Sequence, residues 1–337
     1  MLAGVYLAGL AVGAVFFTVV QTLSGARWSE SLRTVPESLP SMLPVALVLL
    51  LLVFVGWPET YSWTVETQPG LRGAWLSRPF FIARSVAYLG LWMLSARLLV
   101  RRHGSPRVAA GVLVVGALTG WLAAGDWLMS LTPQWASTVF GAYVYVGFIV
   151  SALAAMLMAG VALRARRPAG LTVSPDQLRD LATLLFGFSC LWMYLWYCQY
   201  MLLWYTNQPH ETAYYVLRTS SDWSVPFFAT VGFKWAVPFV LLLGRNAKRS
   251  LVVLGLAAAS SLLGQWLDLY VMIFPSVVPD RPRPGLMELG FALGIAAVYK
   301  WVLRDRAPSR QQTVAGRTGR PASTGGVRRF RDLHRLD

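Results

Sequence analysis

The sequence predicts an all-α fold: a polytopic bundle of about nine transmembrane helices, with the N-terminus outside and the C-terminus in the cytoplasm. Hydrophobic residues make up 56% of the 337 residues and charged residues only 13%, about half the charged share of a soluble domain. Apolar runs of about 20 residues, the length that a helix needs to cross a bilayer, recur along the chain. Strands of a membrane β-barrel would be shorter and would alternate in polarity.

The apolar runs divide the chain into nine predicted helices. They cover about residues 2–23, 39–56, 80–100, 108–130, 135–163, 178–206, 223–244, 249–272 and 284–303. The fifth and sixth are longer than a bilayer requires, so we expect them to tilt or protrude. The transmembrane bundle is therefore expected over residues 1–303, followed by a basic tail over 304–337 that is predicted to be disordered and cytoplasmic.

Basic residues between the helices predict the orientation. Those that follow the first, third, fifth and seventh helices are Arg27, Arg33, Arg101, Arg102, Arg107, Arg164, Arg166, Arg167, Arg245, Lys248 and Arg249. The intervening loops are poorer: residues 131–134 hold none, and residues 207–222 hold only Arg218. Because cytoplasmic loops carry the excess of Lys and Arg, the odd-numbered loops are assigned to the cytoplasm.

The net charge of +15 is concentrated at the C-terminus, where ten basic residues stand against three acidic ones from Lys300 onward. Such a tail is typical of attraction to anionic lipid or of a positive-inside bias. Binding to nucleic acid is the less favoured interpretation. The lipid bilayer is therefore the expected partner of this surface, and no nucleic acid is expected.

Six polar side chains inside the predicted spans are candidates for a functional site, because ionisable groups there cost about 2.5–3.5 kcal/mol each. They are Arg84, Asp126, Gln199, Lys234, Asp268 and Glu288. Lys234 is predicted near mid-membrane, and the other five at a similar depth in the outer leaflet. The functional interpretation is an outer cavity in which Asp126, Asp268, Glu288 and Lys234 transfer protons. In the alternative, the carboxylates cap helices, pair with Arg84 or Arg218, or extend to the headgroups.

The sixth predicted helix is an aromatic run that contains a glutamine, which a lipid-facing helix does not need. Gln199 and Tyr200 can hydrogen-bond the head of a quinol while neighbouring rings pack on its face. The predicted quinol-binding residues are Gln199, Tyr200, Trp196 and Arg84. An aromatic stripe at helical spacing is also typical of packing or of an interfacial belt.

Several classes of redox site are excluded by what the sequence lacks. His103, His210 and His334 lie in two loops and the tail, so no helix carries a pair of haem ligands. Cys190 and Cys198, the only cysteines, are about 12 Å apart along one helix and are too few for an iron–sulfur cluster. We therefore expect neither haem, iron–sulfur nor another metal in this chain; a redox partner would carry such centres.

Five segments in the same order along the chain resemble one known family. They are PFFIARSVAYLGLW (79–92), GDWLMSLTPQWASTVFGAYVYVGF (125–148), QYMLLWYTNQPHETAYY (199–215), VPFVLLLGRNAKRS (237–250) and QWLDLYVMIFPS (265–276). Together they resemble the quinol:cytochrome c oxidoreductase quinone-binding subunit 2 family. This family provides a large membrane subunit of bacterial alternative complex III and is related to polysulfide-reductase-type membrane subunits.

The resemblance implies a multi-pass subunit of a respiratory complex in the bacterial inner membrane. Such a complex oxidises quinol, either menaquinol or ubiquinol, and passes the electrons on through separate iron–sulfur and multihaem cytochrome c subunits. It also implies a related large membrane subunit as partner, and no activity for this chain alone. Asp126, Gln199, Tyr200 and Asp268 lie in the matching segments, and their implied roles are quinol binding or proton translocation.

The chain departs from the family pattern at three points. It begins directly with its first span, where the family usually has one more helix. It has NQPHET (207–212) where members often have NIPEET, and Lys234 where they often have a histidine. Two other functions remain open: a proton-coupled secondary transporter, and a non-catalytic membrane scaffold for redox subunits.

Overall fold

A computed structural model describes residues 1–26, 28, 32–56, 60–65, 69–102, 104–166, 173–219 and 221–278, with five single positions between 282 and 299. Glu288, most of the predicted ninth helix and the predicted basic tail lie outside the described residues. The predictions for them are therefore not addressed by the structure.

Eight helices in the described part of the chain are long and apolar enough to cross a membrane. They are α1 (Leu2–Leu23), α2 (Thr34–Gly56), α3 (Arg78–Arg101), α4 (Pro106–Trp127), α5 (Thr138–Arg166), α6 (Pro175–Thr206), α8 (Ser224–Leu243) and α9 (Leu251–Val277). A shorter helix, α7 (Pro209–Thr219), lies between α6 and α8. The eight long helices coincide in order with the first eight predicted spans, and no strand occurs among the described residues. The prediction of an all-α polytopic bundle is confirmed.

Helices α1 and α5 form the centre of the bundle. Their most apolar windows are 83% and 78% buried, against 33% for α6. The two helices approach closely because Gly9 and Gly13 face α5: a Cβ at Gly13 would lie 2.4 Å from the carbonyl oxygen of Phe148. Small residues at such contacts let helix backbones pack directly in a membrane protein.

The segment between α6 and α8 is helical, which the sequence analysis did not predict. Asn207 ends α6 in the left-handed conformation, with φ 46°, which asparagine adopts more readily than most residues. Pro209 then begins α7, and its fixed φ suits the first turn of a helix. This tight connection places α7 against the end of the bundle where α6 stops and α8 starts.

Helix α9 is longer than predicted, and this changes the distance of Asp268 from the end of its helix. The predicted end was residue 272, whereas the helix continues to Val277 with Pro275 inside it. Asp268 is therefore nine residues from the end of its helix and not four. Since a proline lacks an N–H, it leaves the carbonyl of Val271, four residues earlier, without its helical donor.

Helix α8 is interrupted at its centre by a π-helical turn, Gly232–Ala236, which contains Lys234. Such turns insert one extra residue into an α-helix and occur frequently at functional sites. In this chain the turn lies where α8 crosses α9. A Cβ at Gly264 of α9 would lie 2.5 Å from the backbone nitrogen of Lys234.

Candidate functional site

The first of two buried charged clusters surrounds Asp126, which is 2% exposed, at the end of α4. Its Oδ1 accepts hydrogen bonds from Trp75 Nε1 at 2.9 Å and Arg84 Nη2 at 3.0 Å. Its Oδ2 accepts from Arg84 Nε at 2.9 Å and from the Tyr88 hydroxyl at 2.8 Å. A carboxylate bound in this bidentate way by one arginine is typical of a structural ion pair. This is the pairing with Arg84 that the sequence analysis gave as the alternative.

Arg84 also has contacts outside the ion pair. Its Nη1 donates to the carbonyl of Trp75 at 2.8 Å, and its guanidinium carbon lies 4.0 Å from the centre of the Trp75 ring. These contacts join α3, α4 and the short helix Gly70–Trp75. A role of Asp126 in proton transfer stays a prediction.

The second cluster is centred on Lys234 and Asp268, which are 0% and 4% exposed. Lys234 Nζ donates to Asp268 Oδ2 at 2.5 Å, and the Tyr143 hydroxyl donates to Asp268 Oδ1. The ammonium also lies 4.4 Å from the centre of the Trp192 ring, within the range of a cation–π contact. The prediction that Lys234 faces a polar interior rather than lipid agrees with this geometry.

The ion pair lies where α5, α8 and α9 meet, and glycines allow the approach. A Cβ at Gly147 of α5 would lie 2.9 Å from Lys234 Nζ and 3.1 Å from Gln265 Oε1. Because Lys234 is the eleventh residue of the 20-residue helix α8, the pair is near the middle of the bundle. Asp268, the partner of Lys234, therefore lies beside the middle of α8; the outer-leaflet position predicted for Asp268 stays a prediction.

Polar atoms without a hydrogen-bond partner among the described residues lie on α6 and α9, two of the helices that contact the pair. They are Trp192 Nε1, Gln199 Oε1 and Nε2, Ser261 Oγ and Gln265 Oε1. On α9, Ser261, Gln265 and Asp268 are three or four residues apart and therefore share a face. Each buried atom of this kind costs about 1–3 kcal/mol unless water or another group satisfies it. The arrangement is a polar stripe along α9 that passes through the ion pair.

A cavity lies on the other side of the pair, under α7. Its wall includes Tyr143 and Asp268 together with Phe140, Trp196, Gln199, Tyr214, Tyr215, Arg218, Phe227 and Thr230. The space open to the centre of a water molecule is about 20 Å³, and one water needs about 10–15 Å³. Pockets for organic ligands measure about 300–1,000 Å³. The cavity therefore accommodates water, and in this conformation a quinol ring does not fit.

The predicted quinol-binding residues are only partly brought together. Gln199 and Trp196 line the cavity with Asp268, and the Tyr200 ring stacks on Trp196 at 5.6 Å. Arg84 belongs to the Asp126 cluster instead. Glu288 lies outside the described residues. Quinol binding by these four residues stays a prediction.

Sequence reasoning missed four residues of the cavity wall: Tyr143, Tyr214, Tyr215 and Arg218. Arg218 is 1% exposed and is held by carbonyl oxygens at the end of α9, although it was assigned to a loop. The available signal was its position as the only basic residue in a segment that is otherwise aromatic and polar. Burial raises the pKa of both Tyr214 and Tyr215 and lowers the pKa of Arg218.

Within the described ranges, no group of three or more His, Cys, Asp or Glu side chains could hold a metal ion. Cys190 and Cys198 are free thiols on α6. The chain matches no protein-family model, and a search of curated proteins also gives no match. The resemblance to the alternative complex III subunit therefore rests on the five segments quoted above.

Proposed function

We propose that this multi-pass membrane protein conducts protons through its bundle, as a subunit of a quinol-oxidising respiratory complex of the alternative complex III type. The observation that carries the first part is the Lys234–Asp268 ion pair, buried near mid-bundle and flanked by unpartnered polar atoms. The sequence resemblance carries the second part. The enzyme activity would belong to the whole complex.

The ion pair suits proton transfer because a proton moves between its two groups without a change in net charge. Transfer from Lys234 Nζ to Asp268 Oδ2 leaves a neutral amine and a neutral carboxylic acid. The acid then passes its proton to water in the cavity, which Asp268 lines. The amine regains a proton from the side of Gln265 and Ser261, where unpartnered acceptor atoms can hold water.

The cavity beside Asp268 is assigned to water and protons rather than to quinol. Its space of about 20 Å³ does not admit a ring. Quinol oxidation is therefore proposed to occur outside this cavity, at a surface shared with another subunit of the complex. On the predicted positive-inside orientation, the cavity lies toward the outer side, where quinol oxidation has to release its protons.

Purification of the tagged chain from its native membrane tests the proposal. We expect iron–sulfur and multihaem cytochrome c subunits to accompany it in fixed ratio, with quinol-dependent reduction of a c-type cytochrome. Purification alone, without a redox partner, in a detergent that preserves known respiratory complexes, would contradict it.

A secondary transporter is the second candidate, and one observation favours it. The π-helical turn at Gly232–Ala236 interrupts α8 at mid-bundle and carries the buried cation, and transporters often bind substrate at interrupted helices. Proton-coupled uptake of a solute into vesicles that contain the chain but no quinol would support this function.

The scaffold function instead requires Asp268→Asn and Lys234→Met to leave activity intact in an assembled complex.

A further inference from the structure

The two buried arginines of the described bundle are compensated in different ways. Arg84 forms a bidentate ion pair with Asp126. Arg218 is more deeply buried and has no carboxylate partner among the described residues. Asp268 lines the same cavity as Arg218, but its charge is balanced by Lys234. One positive charge in the cavity wall therefore has no counter-ion: the Tyr214 ring, whose centre lies 3.4 Å from the guanidinium carbon, adds a cation–π contact but no negative charge.

Three carbonyl oxygens and one hydroxyl oxygen accept hydrogen bonds from Arg218 without neutralising its charge. Nε donates to Val271 O at 3.0 Å, Nη1 to Tyr214 O at 2.8 Å, and Nη2 to Met272 O at 2.9 Å and to Ser276 Oγ at 3.1 Å. Val271 O is the acceptor that Pro275 frees. These contacts use four of the five N–H groups of a guanidinium and leave one on Nη1. The negative end of the α9 dipole amounts to only about half a charge.

The cavity wall also presents an unused amide. Gln199 is 3% exposed and lines the cavity, and neither its Oε1 nor its Nε2 has a partner among the described residues. Its NH₂ group can therefore donate two hydrogen bonds into the cavity. Water alone would satisfy this amide but would leave the charge of Arg218 in place, and a buried charge needs a partner.

We propose that the cavity between Arg218 and Gln199 binds one small monovalent anion of halide size. The anion compensates Arg218 and accepts hydrogen bonds from the remaining Nη1–H and from the Gln199 amide. The space of about 20 Å³ fits a monatomic ion and excludes a tetrahedral oxyanion such as sulfate. Burial keeps Tyr214 and Tyr215 protonated by raising the pKa of each, so the cavity gains no negative charge from them. The site is argued from Arg218 and Gln199 alone; because the space is so small, the anion and the water that accepts the proton of Asp268 in the proposed function occupy the cavity alternately.

Thermal unfolding of the full-length chain in nanodiscs, purified with the partners that it retains, tests the site. Sodium gluconate is replaced by chloride or bromide at constant ionic strength. We expect the melting temperature to rise and saturate, as it does when a ligand binds only the folded state. Sulfate at the same ionic strength should give no saturable rise. Equal curves for bromide, sulfate and gluconate would overturn the proposal.

Variants then locate the effect. Arg218→Gln should abolish the halide-dependent rise, and Gln199→Leu should weaken the apparent halide affinity at least about tenfold, because a hydrogen bond to a charged group is lost. Gln21→Leu is the matched control, since Gln21 Oε1 is also buried without a partner but lies on α1. An unchanged halide response in Gln199→Leu would overturn the site even if Arg218→Gln fails to fold.

Bromide soaking gives a direct readout by anomalous diffraction. A bromide peak within hydrogen-bonding distance of the Arg218 guanidinium and Gln199 Nε2 is expected. Water alone at that position, with bromide elsewhere or absent, contradicts the proposal. Because neither experiment uses quinol or measures proton movement, failure of the anion site is distinguishable from failure of the proposed function.

Discussion

At the scale of single residues, Lys234 and Asp268 stabilise each other in a place that neither could occupy alone. A charge buried without its partner costs several kcal/mol, and the pair is almost fully hidden from solvent. Tyr143 adds a hydrogen bond to the carboxylate. The two charges are therefore strongly coupled, and the coupling is measurable.

Replacement of Lys234 by methionine should lower the free energy of unfolding by about 3–5 kcal/mol, because Asp268 remains buried without a cation. The double variant Lys234→Met/Asp268→Asn should lose less than the sum of the two single variants, since no charge then remains in the pair. Denaturant unfolding in mixed micelles gives the three values. Additive losses would mean that the two groups do not interact.

Gly147 sets the distance between α5 and the ammonium of Lys234. The Cβ of Gly147→Ala would lie 2.9 Å from Lys234 Nζ, so the ammonium has to move away, at a cost of about 1–3 kcal/mol for overpacking. We expect lower thermal stability and slower proton translocation. Gly187→Ala on α6 is the matched control, because nothing lies within 4 Å of a Cβ there; an equal loss in both variants would contradict this explanation.

At the scale of elements, α7 closes the cavity and joins the ends of α5, α6 and α9. Its Tyr214 stacks on Trp135 with the ring centres 4.0 Å apart, and its Arg218 bonds the carbonyl that Pro275 leaves free. In the sequence, NQPHETAYY (207–215) has the composition of a polar loop. Its role in the fold is not predictable from that segment, because the partners of its buried side chains lie far away along the chain.

Alkaline titration should reveal the buried side of α7. Because burial raises the pKa of Tyr214 and Tyr215 above the usual value near 10, both phenols stay protonated at pH 10 in the folded protein. Their contribution to stability is present below pH 10 and is lost as the pH rises further. Tyrosinate absorbance should lose a late-titrating component in Tyr214→Phe; an unchanged titration curve would count against the buried position of α7.

The contact between α1 and α5 holds the centre of the bundle. Valine at Gly13 would push its Cβ against the carbonyl oxygen of Phe148 at 2.4 Å and against Ala152 Cβ at 2.6 Å, neither of which can rotate away. We expect Gly13→Val to lower the melting temperature of the chain by several degrees. Gly111→Val on α4, where a Cβ meets nothing within 4 Å, should leave it nearly unchanged.

At the scale of the whole molecule, the number and order of the described spans could be predicted because each long apolar run has one stable state in lipid. The position of Lys234 was predictable for the same reason, since a lysine at mid-span cannot face hydrocarbon. The pairing of Arg84 with Asp126, 42 residues apart, was one of several possibilities in the sequence. The predicted end of α9 was wrong because Pro275 lies inside the helix, where the pattern suggested an earlier end.

Polar atoms without a hydrogen-bond partner among the described residues lie on both sides of the ion pair. Ser261 and Gln265 lie on one side of the ion pair, and the cavity with Gln199 lies on the other. Together they form a polar region that extends from Ser261 past the ion pair to the cavity. The proposed function requires that protons cross the membrane through Asp268.

Proton translocation by the purified complex in sealed liposomes tests this claim most directly. Quinol is supplied, and protons released per electron are compared between Asp268→Asn and the control Asp180→Asn, whose carboxylate is 42% exposed on α6. Protons released by quinol oxidation itself appear in both variants. We predict that Asp268→Asn loses the protons translocated beyond that amount while the complex stays assembled, and that Asp180→Asn keeps them. Equal proton-to-electron ratios in the two variants would contradict the account.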